Sequence, residues 1–196
     1  MSCRHKHSKF SKRGNKMSKF LIQVAAILSL LCVGSAFAQQ VAYRVTSIES
    51  INISPTVPFN INGYTEKEVG EMIINYRPDG YDAIIDGMKL TLNFTHSQAT
   101  IKMNDFVLVF PIDGPYYLKD VGARRKSTIA TSFGDKGYVE MTHLGFIKGG
   151  RKYVEKTWLN GELISDTSTV IDSNNQIVWS VSTTSEEVIT LKRIGD

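Results

Sequence analysis

The sequence predicts an all-β fold, an antiparallel meander closing into a barrel with at most one short helix. Three observations predict it. Between residues 127 and 194, short apolar-alternating runs are separated by turn-forming clusters, with no proline anywhere in the stretch. Short strands at regular spacing with turn signals between them read as a sandwich or barrel. Met88, Leu90, Leu92 and Phe94 alternate without exception against Lys89, Thr91, Asn93 and Thr95, the mark of an antiparallel strand with one buried and one wet face. Parallel pairing needs crossovers of about a dozen residues or more, usually helical, and none is available. An open antiparallel sheet leaves two unpaired edges, and closure into a barrel removes both.

The elements follow in order. Residues 1–19 hold Arg4, Lys6, Lys9, Lys12, Arg13, Lys16 and Lys19 with no acidic residue; an apolar run, 20–33, and Ala36-Phe37-Ala38 follow. A basic segment, an apolar core and a small-x-small site define a secretory signal peptide. Residues 1–38 are therefore expected to be removed after Ala38, with Met17 an alternative start. The apolar run falls short of the roughly 20 residues that span a bilayer.

In the remainder, 41–45 alternates as a first strand, and 54–64, holding Pro55, Pro58, Asn60, Asn62 and Gly63, reads as a loop. Thr65-Glu66-Lys67-Glu68 fits a capping box for one helical turn, or else leads straight into a strand. Residues 71–77 and 81–85 form a hairpin about Pro78-Asp79-Gly80; 88–95, 99–103 and 106–110 add three strands, the last apolar on both faces. The closing runs are 127–133, 138–146, 151–159, 162–171, 176–181 and 186–194. The count is ten to twelve strands in a single domain, 39–196.

Removing the leader changes the charge. The chain carries 23 Lys and Arg against 19 Asp and Glu. Seven of those basic residues and no acidic one lie in 1–38, which leaves 16 against 19, a formal net charge of −3. The domain thus gives no argument for nucleic-acid binding or for stable membrane insertion. Both cysteines, Cys3 and Cys32, fall in the leader, so an exported domain must stand on its core without disulfides. The expected compartment is the periplasm or the exterior.

Two stretches carry a family likeness. Residues 72–87, MIINYRPDGYDAIIDG, form a hairpin with an acidic-Gly turn. Residues 153–194 run through Asn160-Gly161, a Ser/Thr-rich strand at 165–169, an acidic turn at 172–175 and a last strand ending in Leu191-Lys192-Arg193. The chain resembles the calycin-type, lipocalin-like β-barrel domains of exported bacterial proteins whose function is unassigned. The resemblance implies a lipocalin-like barrel and raises small-ligand binding as the expected role.

The chemistry visible in the residues is sparse. After the leader only His96 and His143 remain, with no cysteine, too few for the clustered ligands of a metal site. No cofactor motif and no nucleophile elbow occurs. His143 shares its face with Val139 and Met141 and is expected inside or at the rim. Glu140 lies between Tyr138 and Thr142 on one face, and Glu155 between Tyr153 and Thr157; an outward polar stripe is the simpler reading of both, an interior acidic site the sharper one. Asp82 and Asp86 read as solvated carboxylates. The aromatics remain: a barrel interior is either filled by side chains or holds one small ligand. Tyr43, Phe94, Tyr138, His143, Tyr153, Trp158 and Trp179 are the candidate ligand-lining residues, with Trp179, between Ile177 and Val181, expected inside. Three roles follow in order: a carrier of a small, largely apolar ligand; a protein-interaction or inhibitory module with a packed interior; and an enzyme using His143 with Glu140 or Glu155.

Overall fold

The computed structural model describes residues 38–49, 64–85, 87–95, 98–111, 118–132, 134–184 and 187–195. The leader, most of the 54–64 loop, Asp86 and His96 lie outside the described residues. Twelve strands follow one another: β1 (Gln39–Glu49), β2 (Lys67–Arg77), β3 (Gly80–Ile85), β4 (Met88–Phe94), β5 (Gln98–Met103) and β6 (Phe106–Pro111). Then come β7 (Arg124–Thr131), β8 (Lys136–Ile147), β9 (Gly150–Leu159), β10 (Glu162–Ile171), β11 (Ile177–Thr183) and β12 (Glu187–Arg193). Each pairs antiparallel with its neighbours in sequence, and β1 pairs with β12, so the meander closes into a barrel. Tyr43 stands opposite Met72 on one side and Arg193 on the other.

Local chemistry sets the turns. Asn160 and Gly161 both have positive φ, 51° and 87°, the left-handed pair that a two-residue hairpin turn needs to match the twist of its strands. Where a helical turn was one option, at Thr65–Glu68, the chain instead enters β2 at Lys67. Between Val45 and Thr46 the register shifts, with Val45 opposite Gly70 and Thr46 opposite Glu68. A bulge there bends the strand.

Alternation then divides inside from outside. Along β1 to β6 Tyr43, Met72, Ile74, Tyr76, Tyr81, Ala83, Leu90, Leu92, Ile101, Met103, Phe106 and Leu108 are all buried in one continuous core. That core reaches across the barrel to Ile129, Met141, Tyr153, Ile171, Ile177 and Ile189. The outer wall carries Arg44, Glu71, Lys89, Lys102, Arg124, Lys126 and Lys192, all exposed. This partition is the reverse of a transmembrane barrel, whose outside is an apolar band and whose inside is polar. Among the described residues no helix is long and apolar enough to cross a membrane. Twelve strands also exceed the eight of a lipocalin barrel: the barrel architecture stands, with a strand number of its own. Among the described residues the shortest ladder is β6–β7, with Leu108 opposite Thr131 and Val109 opposite Ala130, extended by the Ser132 N–H donating to the Val107 carbonyl at 2.8 Å.

Candidate functional site

The inner wall from β8 to β11 differs from the rest of the interior. One row across it runs His143, Tyr153, Thr169, Ser180; the next runs Met141, Glu155, Thr167, Ser182. Thr157 and Ser165 stand opposite each other in a third. All of these polar side chains are at most 3% exposed. Two pairs satisfy each other, Thr167 with Ser182 at 2.9 Å and Thr169 with Ser180 at 2.6 Å, and the Ser180 hydroxyl also donates to the Ser168 carbonyl at 3.3 Å. Four atoms do not: Nδ1 and Nε2 of His143, Oγ1 of Thr157 and Oγ of Ser165 have no hydrogen-bonding partner among the described residues. Buried polar atoms left unpaired cost about 1–3 kcal/mol each, so this wall is where the interior is least satisfied.

His143 is held by contacts of its ring and backbone. It stacks on Tyr153 at 4.8 Å and 21° and meets the edge of Phe146 at 5.4 Å. Residues 118–123 cross this end of the barrel: the Gly122 N–H donates to the His143 carbonyl at 2.8 Å, and the His143 N–H to the Ala123 carbonyl at 3.1 Å. The Tyr153 hydroxyl donates to the Leu118 carbonyl at 3.2 Å, and burial pushes its pKa up, with Arg151 opposing.

At the same end, where β1 meets β2 and β12, Tyr43 and Tyr76 share a hydrogen bond between their hydroxyls at 2.8 Å. Arg193 pairs with Asp172 at 2.6 Å, and Asp172 accepts from the N–H groups of Asn174 and Gln176 at 2.8 and 3.0 Å. Gln176 donates to the Gln39 side chain at 2.7 Å. This cluster locks the closing seam. Removal from water pushes the Tyr76 hydroxyl up to about 12 and the Tyr43 hydroxyl higher still, with Tyr76 beside it raising it further.

The outer wall of β7–β10 carries a second arrangement. Tyr138 and Trp158, opposite each other on β8 and β9, stack at 4.8 Å and 18°. Lys126 lies 3.5 Å from the centre of the Tyr138 ring and 3.4 Å from Glu140. Lys156 pairs with Asp166 at 3.5 Å; burial raises the Asp166 carboxyl, and Lys156 pulls it back. Beside these residues lies a groove of about 470 Å³ lined by Arg124, Arg125, Lys126, Glu140, Met141, Thr142 and Lys156.

The candidate ligand-lining residues thus divide by wall. Tyr43, His143 and Tyr153 are inside and at most 1% exposed. Tyr138 and Trp158 are outside. So is Trp179, against the expectation that it faces inward: the register shifts between Val170 and Ile171, with Ile171 opposite Ile177 and Val170 opposite Trp179. Val178 is the extra residue, so the two-residue alternation from Ile177 breaks and Trp179 turns outward, 5.8 Å from the Lys152 ammonium. Phe94 sits on β4 opposite Ala99; its side chain lies outside the description. Of the two carboxylates considered with His143, Glu140 faces out and Glu155 in. Among the described residues no hydrogen bond reaches the His143 ring. Among the described residues no three His, Cys, Asp or Glu side chains gather as metal ligands. The inner hydroxyl rows were not among the candidates, although β10 announces them: Ser165, Asp166, Thr167, Ser168 and Thr169 are polar on both faces, so whichever face turns inward must be polar. No protein-family model matches the chain, and no curated protein or solved structure is similar to it.

Proposed function

We propose that this chain is an exported, non-catalytic binding module that takes an acidic segment of a partner protein on the outer wall of β7–β9. The observation that carries this reading is the groove of about 470 Å³, where the outward cations Arg124, Lys126 and Lys156 stand beside Glu140, while Arg125, opposite Met141, belongs to the inner face. The Tyr138–Trp158 stack beside it supplies the aromatic contact area in which binding energy concentrates. The test is titration with a synthetic glutamate-rich peptide, read by Trp158 fluorescence, with Trp179→Phe to isolate that signal. Affinity is expected to fall with salt and to drop about tenfold or more in Arg124→Glu/Lys126→Glu. Binding unchanged by the double reversal, or a silent Trp158, overturns the assignment.

A second reading rests on a different observation. The unpartnered atoms of His143, Thr157 and Ser165 lie on the inner wall of a barrel whose other inward side chains are largely apolar, which suits a small, largely apolar ligand with one hydrogen-bonding group. Native mass spectrometry of protein from its own host then finds a bound small molecule that His143→Phe loses; protein that carries none rejects the reading. Export itself rests on the basic, apolar and Ala-x-Ala segments of residues 1–38, and supports a periplasmic or secreted location. Sequencing the N-terminus of the mature protein is expected to read Gln39-Gln40-Val41; a retained Met1 or Met17 refutes it.

A further inference from the structure

We propose that the β8–β9 hairpin is a membrane-surface anchor, its apolar tip entering the headgroup layer of an anionic bilayer while flanking cations meet lipid phosphates. The tip carries Leu144, Phe146 and Ile147, exposed at 51, 71 and 43%, and Val121 of the neighbouring segment is exposed at 59%. A methyl on Gly145 would lie 3.7 Å from Val121, so the segment and the hairpin form one patch. The register shift between His143 and Gly145 leaves Leu144 as an extra residue, which the local bend turns outward. Single exposed apolar side chains are ordinary, whereas a contiguous group marks an interaction site.

Charge identifies the occupant. Lys148 caps the tip, Lys119 lies two residues before Val121, and Arg151 and Lys152 follow on β9; Asp120 is the one carboxylate in residues 119–121 and 144–152. A basic rim around an apolar tip complements lipid phosphates over lipid tails. A second copy fits poorly, because a twofold contact brings each patch onto its own image and sets Lys148 against Lys148. The backbone is also suited to a layer poor in water. Gly145 stands opposite Lys152, Phe146 opposite Arg151 and Ile147 opposite Gly150, so the ladder continues to the tip and its polar groups have partners within the hairpin. The charged outer wall of the barrel confines the contact to the tip, making this adsorption rather than insertion.

The test uses protein purified after export, its N-terminus read by mass spectrometry to show that the apolar leader is gone. Co-sedimentation compares vesicles of phosphatidylcholine alone with vesicles containing phosphatidylglycerol. Binding is expected on the anionic vesicles, weakening with salt, and falling about tenfold or more in Phe146→Ser/Ile147→Ser. Both positions are exposed, and because Phe146 also meets the edge of the His143 ring the fold of the variant is checked by its melting transition. Lys148→Glu is expected to reduce the preference for anionic over neutral vesicles. No adsorption of the unaltered protein, or adsorption indifferent to the tip substitutions, overturns the proposal. So does a vesicle-free dimer, seen by sedimentation velocity, that the double substitution dissolves, since the patch would then be a subunit contact.

Discussion

Tyr43 and Tyr76 show how one buried pair of hydroxyls makes stability depend on pH. Both are at most 2% exposed, and each finds its partner in the other. Burial raises both hydroxyls, Tyr76 to about 12 from an ordinary 10.0. In the unfolded chain the same groups ionise near 10, so above that pH the unfolded state has given up protons that the folded state retains. The stabilisation is therefore whole below pH 10 and is lost as pH rises through 10 toward 12, by on the order of 1 kcal/mol per pH unit for each group. Urea midpoints measured from pH 8 to 12 are expected to fall steeply above 10, and less steeply in Tyr43→Phe. Equal slopes in the two proteins reject the account. His143 makes the contrasting case. Its ring nitrogens have no partner among the described residues, so His143→Phe removes two unsatisfied atoms while keeping a flat ring for Tyr153 and Phe146. Stability is expected to hold within about 1 kcal/mol or to rise, as read by denaturant unfolding. A loss of several kcal/mol means that the nitrogens are bound in solution.

At the level of the strand, the hairpins depend on places where backbones approach too closely for a side chain. Gly150 opens β9 with φ 154°, and a Cβ built there would fall against the backbone carbonyl oxygen of Ile171 on β10. Gly150→Ala is expected to cost more than about 2 kcal/mol, measured by urea unfolding. Gly87→Ala, with nothing near its added methyl, is expected to cost only the strain of its positive φ, on the order of 1 kcal/mol. Comparable losses at both sites mean that backbone strain, not the β10 carbonyl, dominates. These elements also show what the amino acids disclosed. The runs from 127 to 194 became β7–β12 with ends moved by a few residues, because alternation and turn chemistry are local signals. Trp179 was misread because the bulge at Val178 is a property of the pairing between β10 and β11, and a one-residue offset reverses every side chain beyond it. Tyr138 and Trp158 were ambiguous for a related reason. Each stands on a strand with amphipathic residues on both faces, so only the register of neighbouring strands decides which face is inside. The hydroxyl rows were legible in β10 alone, since Thr157, Ser180 and Ser182 join them only when four strands lie side by side.

Closure is the property of the whole molecule, and it makes a demand that no single strand makes. β1 and β12 are the first and last strands, yet they pair from Tyr43 opposite Arg193 to Glu49 opposite Glu187. The Ile194 N–H still donates to the Ala42 carbonyl at 2.9 Å. The ends of the domain therefore lie on neighbouring strands about 5 Å apart, close enough for a linker of about four residues. The Asn160-Gly161 turn is exposed at the opposite side of the sequence, and exposed turns are where chains tolerate being cut. A permuted domain that begins at Gly161, runs through β10–β12, crosses the linker into β1 and ends at Asn160 keeps every strand pair except the covalent β9–β10 turn. It is expected to fold with the far-ultraviolet spectrum of the parent and one cooperative melt, at a cost of about 1–3 kcal/mol for the broken turn. Folding is also expected to be slow in both forms, since the β1–β12 pairing joins residues some 150 positions apart in the parent and long-range strand pairing pays loop-closure entropy before it is rewarded. The permutation makes that same pair local, joined by the linker, while β9–β10 becomes the long-range closure. A permuted chain that refolds faster than the parent identifies β1–β12 docking as the slow step. If the permuted chain melts without cooperativity or remains unfolded, β1 and β12 do not form the seam described, and the barrel is open.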